Sequence, residues 1–345
     1  MTTLSEIAKR AGVSVSVASR VLNGDPSVRA RDETRQRVLQ VAKDLNYSPN
    51  YAGRALRLAR SKALGLIVPA VSSPLFADLL DGAEDAAEAS EYTLLIGHAN
   101  RITAGSDTLR RLAGEGRVDG FVLQRTDDLS DQALENLVAN DARIVLVNSR
   151  TPRRRGSVIM DDVAGAKLAT EHLVSLGHTK VGLIGGIPSS DLARRREQGY
   201  ADALHSAGLR KHDALVRRLG WTPELAAEAA ESLAHASPRP TALVVANVNG
   251  AIGALTALRR LGIDVPEEMS VVAFHEEWVA EHTWPPLTTV KMPYYELGAQ
   301  AVRSLVAQLN GHPPEDIVVR DPPPQLVLRA STAPPGRVAP GMWRS

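Results

Sequence analysis

Apolar side chains recur at helical spacing at the start of the chain, at Leu4, Ile7, Ala8 and Ala11. Thr3 and Glu6 have the spacing of a capping box, in which each side chain binds a backbone amide of the first helical turn. Gly12 offers the left-handed backbone conformation that ends a helix. We therefore expect a short helix from Leu4 to Ala11.

A second helix is predicted from Val15 to Leu22. Val13 can plug the turn before it, and the Ser14 hydroxyl can cap its first amides. Its inward stripe consists of Ala18, Val21 and Leu22. Two helices joined by so short a turn form a helix-turn-helix, whose second helix enters the major groove of DNA. The residues left toward solvent or groove are Val15, Ser16, Val17, Ser19 and Arg20.

The chemistry of these outward residues suits a DNA groove. Val15 and Val17 would be unusual on a water-facing surface, whereas in a major groove they can contact thymine methyl groups. Ser16 and Arg20 can supply hydrogen bonds to base edges or phosphates. Residues 1–60 are also basic, with eleven Lys/Arg against five Asp/Glu, in a chain whose net charge is +1. On charge alone, a polyanion partner and an ordinary solvated surface both remain open.

A third helix is predicted at about residues 31–45, with an apolar stripe made by Thr34, Val38, Val41, Ala42 and Leu45. The three helices close one small core, and we call residues 1–45 the head. A polar and basic linker follows at residues 46–60. In this linker Leu56 is an isolated apolar residue, and Gly53 disfavours a helix that has no partner.

From Ser61 onward, which we call the body, short apolar runs alternate with helical patterns such as Lys167 to Leu176. This alternation indicates parallel sheets with helices on both faces. Because the runs form two series, we predict an all-α helix-turn-helix head followed by an α/β body of two Rossmann-like lobes. Ligands of such sheets bind beyond the carboxyl ends of the strands, in a cleft between the lobes. The predicted strands are 64–68, 93–96, 120–123, 144–147, 181–184, 216–219, 242–245 and 271–274.

Composition narrows the class of protein. The 345 residues are 44% hydrophobic and 23% charged, as is typical of globular proteins. No segment has the run of about 18 apolar residues that a membrane helix needs, and no secretion signal is found, so we expect a cytoplasmic protein with no membrane partner. The absence of cysteine excludes disulfides and thiolate metal sites. The histidines lack metal-ligand spacing, and we expect neither a metal nor a cofactor.

Three runs in the head and at the start of the linker carry a family resemblance: IAKRAGVS at 7–14, ASRVLNG at 18–24 and LNYSPN at 45–50. They resemble the head of the LacI/GalR family of repressors. The resemblance implies that residues 50–58 form a hinge helix on DNA and that Leu56 is wedged into the minor groove. A contact of Leu56 with the body is the alternative. The implied DNA-binding residues are Thr3, Ser14, Val15, Ser16, Val17, Ser19, Arg20, Asn23, Tyr47, Asn50, Gly53, Arg54 and Leu56.

The resemblance continues across the body to about residue 330, for example in HLVSLGH at 172–178 and PLTT at 286–289. It implies the periplasmic-binding-protein-like fold that the family uses to sense a small effector, a sugar or related metabolite. The implied cleft residues are Leu75, Phe76, Gln124, Asn148, Ser190, Arg196, Trp221, Asn247 and His275. The expected divisions are 1–45 (head), 46–60 (hinge), 61–159 with 289–318 (first lobe), 160–288 with 319–331 (second lobe) and 332–345 (disordered tail).

Several cleft residues have a plainer interpretation. Leu75 and Phe76 also fit a hydrophobic core, and Trp221 also fits packing at the end of a strand. A Trp face can stack on a sugar ring or a base, and an arginine fork donates to oxygens. Within the run Arg194–Arg196 only Arg196 is placed by the resemblance, and the rest of the run is expected on a solvated helix face.

Two departures from the family pattern leave the ligand open. Where the family has Asn-Asp after the strand at 242–245, this chain has Asn247–Val248, and where it has Asp-Asp after the next strand, this chain has His275–Glu276. The carboxylate that grips a sugar hydroxyl is therefore absent or replaced, with Glu276 and Glu277 as the substitutes to consider. Imidazole can donate or accept, so a polyol, a nucleoside, an acid and a phosphorylated sugar all remain open.

The resemblance implies a homodimer that places two recognition helices in successive major grooves of a near-palindromic, double-stranded operator. Effector binding would change the angle between the lobes and form or melt the hinge helices, with induction and corepression both open. The absence of leucine heptads favours a dimer over a tetramer. A solute-binding protein with the same body is an alternative that the basic head disfavours. An enzyme is disfavoured because the sequence has no phosphate-cradling glycine loop, His-Glu-x-x-His or nucleophile elbow.

Overall fold

The computed structural model divides the chain into two compact units, residues 1–61 and 62–345. It describes residues 3–25, 27–47, 60–69, 73, 76–99, 115–126, 129, 132, 134, 143–150 and 156–336. Within these ranges no helix combines the length and the apolar character needed to cross a membrane.

The head consists of three helices, so the predicted helix-turn-helix is confirmed. They are α1 (Leu4–Ala11), α2 (Val15–Leu22) and α3 (Asp32–Asp44). The Thr3 hydroxyl accepts a hydrogen bond from the amide of Glu6 at 3.3 Å and caps α1. The Ser14 hydroxyl caps α2 in the same way, 3.2 Å from the amide of Val17. The helices bury one core made by Ile7, Ala8, Ala11, Ala18, Val21, Val28, Val38 and Ala42.

The body contains twelve strands among its described residues. They are β1 (Ala63–Val68), β2 (Thr93–His98), β3 (Gly120–Leu123), β4 (Arg143–Val147), β5 (Ser157–Met160), β6 (Val181–Gly185), β7 (Val216–Arg218), β8 (Ala242–Val245), β9 (Ser270–Phe274), β10 (Thr288–Lys291), β11 (Asp316–Val319) and β12 (Gln325–Val327). The eight predicted strands are all present, with ends shifted by at most two residues. The four strands that were not predicted are β5, β10, β11 and β12.

The strands form two six-stranded sheets, as the two series of apolar runs predict. The first sheet has the order β11-β5-β4-β3-β1-β2 and the second has β12-β10-β9-β8-β6-β7. Every pairing is parallel except that of β10 with β12. The helices beside the sheets are α4 (Ala77–Ala89), α5 (Asp162–Ser175), α6 (Asp191–Ser206), α7 (Pro223–Ala234), α8 (Val248–Arg260), α9 (Trp278–Glu281) and α10 (Tyr294–Leu309).

The chain passes between the two lobes after β5, after β10 and after β11. These crossings lie side by side, because Met160 pairs with Val319 in the first sheet and Lys291 pairs with Gln325 in the second. The expected division between residues 288 and 289 is wrong. Thr289 and its two successors belong to the second sheet, because β10 continues the pairing with β9 until it reaches the crossing.

The end of the described chain packs on the second lobe. The Ser331 hydroxyl donates to the Val271 carbonyl at 2.6 Å. His178 Nε2 lies 2.9 Å from the Ala333 carbonyl, and because a carbonyl only accepts, this nitrogen carries the proton. The expected disordered tail from residue 332 is therefore wrong for residues 332–336, where the Ala333 carbonyl and amide are bound by the buried side chains of His178 and Ser270. Residues 337–345 lie outside the described residues.

Candidate functional site

A cavity of about 830 Å³ lies between the lobes of the body. Its wall includes residues that follow β3 and β4 in the first sheet and residues that follow β6, β8 and β9 in the second. The cavity is thus at the carboxyl ends of the strands, where open parallel sheets bind their ligands. Its volume lies within the range of small-molecule sites, roughly 300 to 1,000 Å³.

The cavity brings together most of the predicted cleft residues. Leu75 lies outside the described residues. Phe76 is buried in a hydrophobic cluster as well as lining the cavity, so both interpretations of this residue hold. The predicted residues on the wall are Phe76, Gln124, Asn148, Ser190, Arg196, Trp221, Asn247 and His275. Contact of these residues with an effector stays a prediction.

Each lobe places one buried polar residue at the end of a central strand, in a backbone conformation that L-residues rarely adopt. Asn148 follows β4 with a φ of 53°, and His275 follows β9 with a φ of 76°. Asn148 Nδ2 donates to Gln124 Oε1 at 3.4 Å. Asn148 Oδ1 and His275 Nδ1 are buried and have no hydrogen-bond partner among the described residues. Such strained, unsatisfied positions are typical of ligand sites.

A chain of hydrogen bonds fixes the His275 ring. Asp162, which is fully buried, accepts from Arg196 Nε at 3.0 Å. Arg196 Nη2 lies 3.1 Å from His275 Nε2, and the Tyr294 hydroxyl lies 2.5 Å from the same nitrogen. The Arg196 guanidinium also stacks over the Phe274 ring at 4.1 Å. Arg196 is therefore held on three sides by the protein.

The protonation states of the side chains in this hydrogen-bond network follow from their burial. Burial, and then the charge of Arg196, holds the pKa of His275 well below its ordinary value, so the ring is neutral at pH 7. Burial raises the pKa of Tyr294 to about 12, so its hydroxyl keeps its proton. Arg196 can only donate, so His275 Nε2 accepts from its guanidinium. The proton of the neutral ring must therefore reside on Nδ1.

Arg195 does not lie on a solvated helix face, so that expectation was wrong for this residue. Its side chain is 12% exposed and donates to Asp162 Oδ2 at 3.0 Å as well as to Asp191. Arg194, by contrast, is 57% exposed. Asp162 thus accepts from two neighbouring arginines of α6, because the first turn of α5 places its carboxylate between them.

Three of the helices that begin at the cavity have side-chain caps that position its wall. Ser190 caps α6, Thr222 caps α7 and Asn247 caps α8. Asn247 Nδ2 also donates to the Trp221 carbonyl at 2.9 Å. A Cβ added to Gly186 would lie 2.3 Å from the Trp221 ring, so the absence of a side chain there lets the ring lie on the backbone.

The two glutamates after His275 do not supply a carboxylate to the described wall of the cavity. Glu276 is bound by Arg329 at 3.0 Å and by Thr289, which turns it toward the chain end. Glu277 is not among the residues that line the cavity. Burial, and then the charges of Asp78 and Glu276, raises the pKa of Glu277 to about 7.

In the head, the exposed face of α2 carries Val15, Ser16 and Arg20, as predicted. Val15 is 46% exposed, and the Arg20 side chain is 55% exposed with Nε 3.9 Å from Asp25. Val17 differs from the prediction, because it is half-buried and packs against the core of the head.

Several other predicted head residues already have intramolecular contacts. The Thr3 and Ser14 hydroxyls serve as helix caps, and Asn23 Nδ2 donates to the Ser19 carbonyl at 2.6 Å. Tyr47 packs against the core of the head. The remaining predicted contacts lie outside the described residues; these are Asn50, Gly53, Arg54 and Leu56.

Comparison with known proteins identifies the family. Residues 3–50 match the bacterial regulatory proteins of the lacI family, and residues 170–332 match the periplasmic binding protein-like domain. The HTH-type transcriptional regulator DegA of Bacillus subtilis is 32% identical over 340 residues, covering 96% of this chain and 98% of DegA. The chain belongs to the LacI family of bacterial transcription regulators.

Solved LacI-family structures agree with this assignment. A LacI family transcriptional regulator from Mycobacterium smegmatis is 42% identical, with a TM-score of 0.75, over 79% of this chain and 99% of that one. The Lac repressor dimer bound to operator and the anti-inducer ONPF is 26% identical, with a TM-score of 0.82, over 96% of this chain and 99% of that one. The protein is therefore a DNA-binding transcriptional repressor of the LacI family and not an enzyme.

Three residues that the sequence patterns did not single out hold the cleft of this LacI-family protein in place. Tyr294 lines the cavity, and Asp162 and Arg195 lie in the network behind it. The position of Tyr294, directly after a crossing between lobes, is a signal that could have identified it, because the crossings border the cleft in this fold.

Proposed function

We propose that this LacI-family repressor is switched by a small molecule, a sugar or related metabolite, that binds between the two lobes of the body. The observation that carries the proposal is the pair of buried, unpartnered polar atoms, Asn148 Oδ1 and His275 Nδ1. They come from opposite lobes and from residues that line one cavity. A ligand that satisfies both atoms would bridge the lobes and favour one angle between them.

The link from the cleft to DNA rests on rotation of the lobes. The three side-by-side crossings allow one lobe to turn against the other without breaking either sheet. We propose that this rotation in a dimer changes the distance between the two segments at residues 46–60, and so forms or melts hinge helices on the operator. The sign, induction or corepression, depends on which lobe angle the ligand favours.

We infer that the protein acts as a homodimer held through its body. The edge strand β2 exposes Leu95 by 45% and Ile96 by 51%, and the second lobe exposes Trp278 by 68% and Trp284 by 84%. Apolar patches of this kind mark interaction surfaces. The Lac repressor with operator is a dimer, which supports the same arrangement. Sedimentation should show a dimer that Ile96→Asp converts to a monomer, and an unchanged mass for this variant would contradict the assignment.

The proposed switch can be tested with the full-length protein. Operators selected from random duplexes should be bound in a mobility-shift assay, and a chain lacking residues 1–58 should not bind them. Small molecules that raise the melting temperature should then change operator affinity. Unchanged DNA affinity after deletion of residues 1–58 would contradict the DNA-binding assignment. Ligands that stabilise the body without changing operator affinity would contradict the switch alone.

A further inference from the structure

The buried charges behind the cleft compensate one another. Asp162 pairs with Arg196 at 3.0 Å and with Arg195 at 3.0 Å, and Asp191 also pairs with Arg195. Arg195 and Arg196 thus each have a carboxylate partner within this described network, and Asp191 also lies 3.6 Å from the exposed Arg194. A phosphate or carboxylate entering the cleft would lose hydration and gain no counter-ion from these residues.

Other features that could attract an anion are engaged as well. An amide in the first turn of α6, α7 and α8 is already bound by the capping oxygen of Ser190, Thr222 and Asn247, respectively. Arg125, which also lines the cavity, is half-buried and donates to the Leu129 carbonyl at 3.5 Å. The described wall therefore offers polar contacts but no cation that is held ready for a phosphate.

The two unpartnered atoms have opposite hydrogen-bonding character. Because Arg196 can only donate to His275 Nε2, the Nδ1 atom of the neutral ring carries the hydrogen and is a donor. Asn148 Oδ1 is an acceptor, since Nδ2 of the same amide donates to Gln124. A matching ligand therefore needs one hydrogen-bond acceptor and one donor.

The remaining wall is suited to the face of a ring. Trp221 lies on the backbone of Gly186 at one side of the cavity, and Phe76, Leu219 and Leu225 also line it. An indole ring stacks on the apolar face of a sugar or on a nucleobase. Both compound classes can carry the acceptor and the donor that the two buried atoms require.

We propose, on the basis of the effector role above, that the cleft takes an uncharged polar ring compound, a neutral sugar or nucleoside, whose acceptor atom binds His275 Nδ1–H. Its phosphorylated or acidic counterparts are rejected. Arg196 is then a positioning residue, which fixes the His275 tautomer instead of neutralising ligand charge. This assigns to histidine the specificity that a carboxylate has in the family pattern.

The charge preference can be tested by calorimetry of the full-length protein with matched probes. The pairs are ribose with ribose 5-phosphate, adenosine with AMP, and glucose with gluconate. For any pair that binds, the neutral member should bind about tenfold or more tightly than the charged one. Tighter binding of a charged member would overturn the inference and leave the effector role intact. The effector role itself would be contradicted if none of these probes bound and if no further neutral sugar or nucleoside bound in a thermal-shift screen.

The role of His275 can be tested with two matched variants. Asn and Asp both tolerate the left-handed backbone at this position, so His275→Asn and His275→Asp differ mainly in offering a donor or a carboxylate. The bound neutral probe should keep its affinity within about threefold in the Asn variant and lose about tenfold or more in the Asp variant. The melting temperature without probe checks that both variants fold. Equal or tighter binding by the Asp variant would overturn the assignment of His275 as donor.

Discussion

The head and the cleft use polar side chains in opposite ways. In the head, Ser16 and Arg20 are exposed on α2, and neighbouring hydroxyls close the helix ends through contacts three residues apart. In the cleft, Asp162, Arg196 and His275 are almost fully buried and are joined across more than a hundred residues of chain. We therefore expect the head to tolerate the loss of an exposed side chain, whereas in the proposed effector cleft a substitution should affect stability as well as ligand binding.

The largest expected effect of this difference is on stability. Asp162→Asn removes one carboxylate from a buried network and leaves Arg196 without a carboxylate partner, so the body should lose about 3 to 5 kcal/mol of unfolding free energy. All four tryptophans, at 221, 278, 284 and 343, lie outside the head, so their fluorescence during denaturant unfolding reports on the body alone. Glu171→Gln, which removes an exposed carboxylate 3.6 Å from Lys167 on the same helix, is the control and should change little. A stable Asp162→Asn body would contradict this account.

In the head, the expected effect is on affinity without loss of folding. Arg20→Ala and Ser16→Ala should each weaken binding to the selected operator by about 1 to 3 kcal/mol, if these side chains contact base edges. Their effect on random duplexes should be small by comparison. Lys43→Ala removes a charge from α3 and is the control for general electrostatics. A mobility-shift titration in which all three variants lose equal affinity for operator and random DNA would refute base contact by α2.

A pair of neighbouring glycines tests how the wall of the cleft is positioned. A Cβ at Gly186 would lie 2.3 Å from the Trp221 ring, whereas one at Gly185 would find its nearest neighbour at 3.8 Å. Gly186→Ala should therefore displace the ring and weaken the affinity for the neutral probe by about tenfold, roughly 1.4 kcal/mol. The Gly185→Ala variant should bind the neutral probe with unchanged affinity in the same calorimetric titration. Equal affinities in the two variants would show that the ring does not contact the ligand.

The smallest expected effect concerns pH. The pKa of Glu277 is raised to about 7, so the native body holds this proton more tightly than the unfolded chain does. Its contribution to stability is present at low pH and falls as pH rises from about 4.5 to about 7. Glu277→Gln should remove this dependence of stability on pH. It should raise the unfolding free energy by about 1 kcal/mol at pH 8, after allowance for solvent screening. Glu281→Gln on the same short helix is the control in melts at pH 5 and pH 8, and an identical slope in both variants would contradict the assignment.

Local patterns predicted the head well because the head is built from local contacts. Caps at Thr3 and Ser14 and the turn at Gly12 depend on residues within one helical turn. The partial burial of Val17 was missed because its packing against the shared core of the head cannot be read from the spacing of apolar residues along α2.

In the body, the central strands were predicted from their apolar runs, and the family pattern indicated which residues follow them. The four missed strands are three or four residues long and occupy the two positions at one end of each sheet order. Partners could not be predicted in the same way. The contact of Arg195 with Asp162, or of His178 with residue 333, joins distant parts of the chain, and only the folded topology brings them together.

In the proposed rotation of the lobes, the axis lies at the three neighbouring crossings, next to the pairs Met160–Val319 and Lys291–Gln325. Displacements near these strand ends are small, and they grow in proportion to distance from the axis. A ligand that shifts the walls of the cleft by a fraction of an ångström is therefore felt most strongly at the far surfaces of the lobes. Substitutions near this axis should alter the angle through which the lobes rotate. Substitutions at the distal surfaces should alter the effect that this rotation has there.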